Sequence, residues 1–189
     1  MVRNALLEIR ESLNEFLINR YDIDSDVVEI NRLVGSAGDQ PSKNQNKVII
    51  TLINLAQETA SQYYSIPTPD RKGGYRKINP DMCFNLEILF TCCFDDYDES
   101  LKFLGSLLSF FQSHLVLREF IGKESNSAGV LKFELQDQTF SEMHSLWNSM
   151  GAKYSPSVVC RVKHIIVQEN QTTIESASVS DINVRAEPL

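Results

Sequence analysis

Residues 81–116 read DMCFNLEILFTCCFDDYDESLKFLGSLLSFFQSHLV, and the fold turns on them. The stretch opens with alternation. Phe84, Leu86, Ile88, Phe90, Cys92 and Phe94 fall on one face of a pleated backbone. Cys83, Asn85, Glu87, Leu89, Thr91 and Cys93 fall on the other, polar at first and less so later. After Asp95 and Asp96 the period changes. Leu101, Leu104, Leu108 and Phe111 recur at helical spacing, and Phe103, Leu107 and Phe110 widen the stripe. The two aspartates supply the acceptor and the negative charge favoured at a helix N-terminus. The pattern predicts a long half-buried strand feeding a strongly apolar helix. Nothing in it is arranged for catalysis.

Upstream, residues 1–20 predict an amphipathic helix. Val2, Ala5, Leu6, Ile9, Leu13, Phe16 and Leu17 form its apolar stripe, opposite Arg3, Arg10, Glu11 and Asn14. A short strand is expected over residues 27–33, then a Gly/Ser/Pro/Asn loop over 35–46. KVIITLINLA at 47–56 is apolar on both faces, which predicts a central strand. Residues 61–80 hold Pro67, Pro69, Gly73, Gly74 and Pro80 and predict a loop or hairpin of functional interest.

Downstream, a Gly/Ser/Asn linker at 122–129 leads into a strand in which Leu131, Phe133 and Leu135 alternate with Lys132 and Glu134. Thr139 and Glu142 have capping-box spacing. The helix they open is expected to bury Phe140, Met143, Leu146, Trp147 and Met150 and to stop at Gly151. SVVCRVKHIIVQE at 157–169 reads as the last core strand. Residues 170–189 carry Ile174, Val179, Ile182 and Val184 among small polar residues, and suit either a further hairpin or a tail. The order predicts an α+β domain over 1–169, with helices packed on a mostly antiparallel sheet, and a C-terminal arm or tail over 170–189.

A net charge of −7 argues against nucleic acid as the main partner, because backbone binding needs clustered cations. No apolar run is long enough for a membrane span. The cysteines (83, 92, 93 and 160) lie in predicted strands, with Cys92 and Cys93 pointing to opposite faces. That is a poor disulfide framework and fits reduced thiols in a cytoplasm. No pair has metal-ligand spacing, so neither a metal nor another cofactor is expected. His114 and His144 have bland places at a helix end and within a helix. Arg71, Lys72, Arg76 and Lys77, with Tyr75 among them, form the one basic cluster of an acidic chain. They suit docking to an acidic protein surface, or a solvated loop tip. Ile174, Val179, Ile182 and Val184 suit an arm that adds a strand to a neighbour, or a frayed terminus.

Three pieces together carry a family resemblance: ITLINLAQE, INPDMCFNLEILFTCCFDDYDESLKFLGSLLSFFQSH and LQDQTFSEMHSLWNSMGAKYSPSVVCRVKHIIV. The shared features are the proline before the NLEILF strand, the YDESLKFL…FFQ helix and the LWNSMGAKYSPS corner. Over roughly residues 1–169 the chain resembles the N-terminal domain of the tail-terminator, or cap, proteins of extracellular contractile injection systems. Photorhabdus virulence cassettes and the antifeeding prophage are such systems. The resemblance implies a phage tail-terminator-like fold and no catalytic activity. It implies a hexameric ring of identical subunits that closes the distal end of inner tube and sheath, partnered by the tube and sheath proteins of a phage tail-like particle. Some members continue into a C-terminal region, whose contacts cannot be carried over. The competing readings are a small cysteine-dependent enzyme or redox protein, and a connector at another level of the same particle.

Overall fold

The computed structural model describes residues 2–35, 38–58, 68–69, 75–78, 82–121, 128–167 and 172–176. At 68–69, 75–78, 82, 118–121, 128–129, 164–167 and 172–176 the description is of the backbone alone. In chain order the elements are α1 (Val2–Tyr21), β1 (Val28–Ile30), β2 (Lys47–Gln57), β3 (Thr68–Pro69), β4 (Tyr75–Ile78) and β5 (Met82–Cys93). There follow α2 (Tyr97–Ser113), β6 (Val116–Ile121), β7 (Ala128–Gln136), α3 (Phe140–Met150), β8 (Ser157–Val167) and β9 (Thr172–Ser176). Six strands form one sheet in the order β1-β2-β5-β8-β7-β6, antiparallel except for the parallel β1–β2 pair. The α+β class with helices packed on a mostly antiparallel sheet is therefore what the chain adopts.

The alternation in β5 divides the core in two. Leu86, Ile88, Phe90 and Cys92 meet α1 and α2 on one face, together with Val48, Ile50, Phe133, Cys160 and Val162 of the neighbouring strands. Leu89 points the other way and packs with Ile49, Val159 and Trp147 of α3. Cys92 and Cys93 part between the two faces, as a period of two requires. Rings dominate the first face. Phe16 meets Phe110 at 5.4 Å, Phe90 meets Phe111 at 5.0 Å, and Phe94 stacks on Phe103 at 4.3 Å. A fully buried side chain of this kind gains roughly 1.5–3 kcal/mol.

The helix ends follow local chemistry. Asp96 accepts from the Asp98 amide at 3.0 Å and starts α2. Thr139 and Glu142 exchange the two bonds of a capping box at α3. Gly151 ends α3 at φ 64°, a left-handed conformation that costs a residue with a Cβ.

Several expectations need correction. The buried stripe of α2 is Phe103, Leu107, Phe110 and Phe111 with Ser100 and Ser106, while Leu101 and Leu108 stay 44% and 45% exposed. The large rings set the helix phase, because they gain more by facing the sheet. Phe140 was expected inside and is 97% exposed; of α3 only Trp147 is buried. Asn14 was placed on the polar face of α1 and is buried. Strand β2 is buried on both faces only at Val48, Ile49 and Ile50; it lies beside the three-residue edge strand β1, and Leu52 and Leu55 are exposed. A strand the sequence reading passes over, β6, pairs with β7 as a hairpin on the other edge. Its VLREFI run is β-prone, but it follows the apolar end of α2 with only His114 and Leu115 between.

Candidate functional site

The candidate sites among the described residues are the titratable and nucleophilic groups and the exposed surfaces. Burial pushes the Cys92 and Cys160 thiols up to about 12 and that of Cys93 up to about 11. Such groups are protonated at neutral pH and poor nucleophiles. His144 is exposed and bonded to Asn148 at 2.8 Å, and His114 stacks on Phe110 at 4.7 Å. Neither is held against a thiol. His164, the remaining histidine, lies where only the backbone is described. Among the described residues no group of three or more His, Cys, Asp or Glu is placed to hold a metal ion. Native protein is therefore expected to react with iodoacetamide far more slowly than protein unfolded in urea. Rapid alkylation of one native thiol, followed by mass spectrometry, would contradict this.

The two segments singled out in the sequence meet. Strand β4 pairs with β9, with Tyr75 opposite Ser176, Arg76 opposite Glu175 and Lys77 opposite Ile174. Strand β3 adds to the other side of β4 and completes a three-stranded sheet. Met82 of β5 faces Val167 of β8, and a few residues further along both chains Ile78 faces Thr172. The part of the basic cluster on β4 and the start of the C-terminal segment thus belong to one sheet. Tyr75, Arg76, Lys77 and Ile174 lie on paired strands whose backbone alone is described, and Arg71, Lys72, Val179, Ile182 and Val184 lie outside the described residues. No local spacing signals this pairing, because the partners are about a hundred residues apart.

Two apolar surfaces that the sequence reading did not single out lie on opposite sides of the main sheet. On α2, exposed Tyr97, Leu101 and Leu108 and half-buried Leu104 form a stripe about a third of a turn from the buried one. A methyl group added at Gly105, within this stripe, would meet no atom within 4 Å. On α3, Phe140, Met143, Trp147 and Tyr154 line an open hollow of about 440 Å³, with Phe140 and Tyr154 97% and 64% exposed. The width of the apolar arc in α2 was the available signal. A helix apolar over more than half its circumference cannot bury all of it against one sheet.

The α3 face of the sheet, beyond the helix, carries paired charges. Glu87 accepts from Arg161 at 2.9 Å and Lys163 pairs with Glu134 at 2.7 Å, so charges alternate across β5, β8 and β7. The hydrogen bond from Lys163 holds the Glu134 carboxyl below its ordinary range. These partly exposed pairs align strands more than they stabilise them. Nearby, Thr91 and Ser157 face each other across β5 and β8, and both hydroxyls are buried without a partner.

Three comparisons bear on this architecture. The family profile of the Pvc16 N-terminal domain matches residues 8–181. No curated protein sequence matches the chain. Among solved structures, the PVC sheath/tube terminator of an extracellular contractile injection system in its extended state superposes with a TM-score of 0.56 at 10% identity. That match covers 97% of this chain and 63% of the other. The anti-feeding prophage cap, a tube-terminating cap, superposes with a TM-score of 0.54 at 11% identity over 96% of this chain and 62% of the other. The chain thus spans less than two thirds of either structure's length, and the likeness is one of fold.

Proposed function

Because the chain belongs to the Pvc16 N-terminal domain family, we propose that it is a structural terminator of a contractile, phage tail-like particle. In this role it closes the distal end of the inner tube and sheath as a ring of identical subunits, six by the family resemblance, and catalyses nothing. The observation that carries the reading is a superposition over 96–97% of the chain on two proteins whose structures are named terminator and cap. The physical reading agrees. Thiols held protonated by burial offer no nucleophile, while apolar side chains are left uncovered on both sides of the sheet. Heterologous contacts that close by rotation make a ring of this kind. Assembly takes place in the cytoplasm, and the partners are the tube and sheath proteins.

The β3–β4–β9 sheet is the element assigned to gripping the polymer. The basic residues Arg76 and Lys77 of β4 with Tyr75, and Arg71 and Lys72 before them in the sequence, are assigned to docking on an acidic partner surface. Ile174, Val179, Ile182 and Val184 supply the apolar part of the arm. Electron microscopy of particles assembled with and without the protein tests the role. Overlong or ragged polymers in its absence, and a defined end cap in its presence, are the expected result. Normal capped particles without it would remove the reading. Within the same assay, Arg76→Glu with Lys77→Glu is expected to abolish capping at an unchanged melting temperature. Capping at the wild-type level would end the assignment of the basic strand to docking.

A further inference from the structure

The uncovered helix faces are complementary in shape. Leu101, Leu104, Gly105 and Leu108 stand at i, i+3, i+4 and i+7 on α2, the four corners that make a hole for a side chain from another helix. Glycine at one corner deepens the hole, since nothing occupies the space where its Cβ would be. On α3, Phe140 is the first helical residue after the Thr139 cap and is 97% exposed. The capping box fixes the turn that carries it, as Thr139 and Glu142 bind each other's backbone amides at 2.8 and 3.3 Å. It is a large apolar knob on a rigid mount.

One copy cannot satisfy both features. α2 lies on the sheet face that carries Ile88 and Phe90, and α3 lies on the face that carries Leu89. Knob and hole therefore point away from each other across the sheet, which is the arrangement of a heterologous contact.

We propose that Phe140 of one subunit seats in the Leu101–Leu104–Gly105–Leu108 hole of the next, making the contact that builds the ring proposed above. The inference rests on that ring and names its surfaces. The areas suffice. The exposed parts of Tyr97, Leu101, Leu108, Leu115, Phe140 and Tyr154 together come to on the order of 800 Å², about half of a standard interface before any rim is added. Exposed charges of opposite sign stand beside the two faces: Asp98 follows Tyr97, and Lys153 precedes Tyr154.

Sedimentation of the full chain tests the contact with Phe140→Asp, Leu108→Asp and Gly105→Leu. Wild-type protein is expected to self-associate, and each variant to associate at least tenfold more weakly at an unaltered melting temperature. Gly105→Leu separates the contact from folding. It replaces a helix-interior glycine and is expected to melt no lower than wild type, yet it fills the hole. An equimolar mixture of Phe140→Asp and Leu108→Asp is expected to form a dimer that grows no further, since only one intact pairing remains between them. Association of Phe140→Asp at the wild-type level, or a wild-type chain that stays monomeric, overturns the contact. Either result leaves the terminator reading to the particle-end experiment. Phe140→Asp protein that still assembles, beside particles that lose their ends without the protein, sinks the contact alone.

Discussion

Phe110→Ala is expected to lower the unfolding free energy by about 3–5 kcal/mol, the range for removing a buried aromatic side chain. Phe110 is fully buried and lies where α1, α2 and the sheet meet. Its ring contacts Phe16 at 5.4 Å, Phe111 at 5.5 Å, Phe133 at 6.4 Å and His114 at 4.7 Å. Three of these partners sit on other elements or at the helix end, so a small local shift cannot close the space. The loss is a large part of the roughly 5–15 kcal/mol that stabilises a domain. In calorimetry it should lower Tm by about 10 °C for a chain of this size. Leu108→Ala on the same helix, measured at concentrations where the chain is monomeric, is the control, expected within about 0.5 kcal/mol of wild type because the residue is half exposed. Equal losses at the two positions would mean that α2 is rotated from the phase described.

The second large effect falls on a polar residue. Asn14→Ala is expected to cost about 2–4 kcal/mol, because it strands two buried backbone donors at once. Asn14 Oδ1 accepts from the Val27 and Val28 amides at 2.9 and 3.2 Å, and its Nδ2 donates to Asp26 at 2.7 Å. Arg10 completes the clasp, donating to the Val28 carbonyl at 3.0 Å and pairing with Asp26 at 2.6 Å. These bonds tie α1 to β1, an edge strand of three residues that pairs on one side only, with β2. Denaturant unfolding measures the cost, and a loss below about 0.5 kcal/mol would show that water replaces the amide without penalty.

The clasp also sets a pH dependence. The Asn14 hydrogen bond, then Arg10, holds the Asp26 carboxyl below its ordinary value. A carboxyl depressed on folding stabilises above its unfolded pKa and loses that contribution as pH falls through the folded value. The gap between wild type and Asn14→Ala should therefore narrow in acid. It should narrow only slightly, since Asp26 is half exposed and solvent screens it. A gap that widens as pH falls would contradict the sign.

Much of the architecture can be read from β5 and α2. Strict alternation from Phe84 to Phe94, followed by a change of period at Asp95 and Asp96, has one physical solution, a strand that splits two cores and a capped helix that returns over one of them. The capping box at Thr139 and the stop at Gly151 depend on neighbours within four residues, and both stand where the spacing put them. The harder cases have a common cause. Asn14 sits among charges on α1 and counts as polar, yet the unpaired amides it satisfies belong to a loop and strand a dozen residues on. Leu108 and Phe110 are equally apolar in a list, and only the sheet they meet decides which is buried.

By itself, then, the sequence determined the quantities that depend on near neighbours: the period of each element, its caps, the α+β order, and the family whose pattern the three motif-bearing pieces share. The tertiary structure alone decided which side of α2 faces the sheet, that Phe140 stands outside, and that β4 pairs with β9 across the length of the chain. The reason is the range of the forces. Hydrogen bonds and backbone sterics within a turn or a strand act between residues adjacent in sequence. Burial is settled by whichever surfaces meet once the chain has folded.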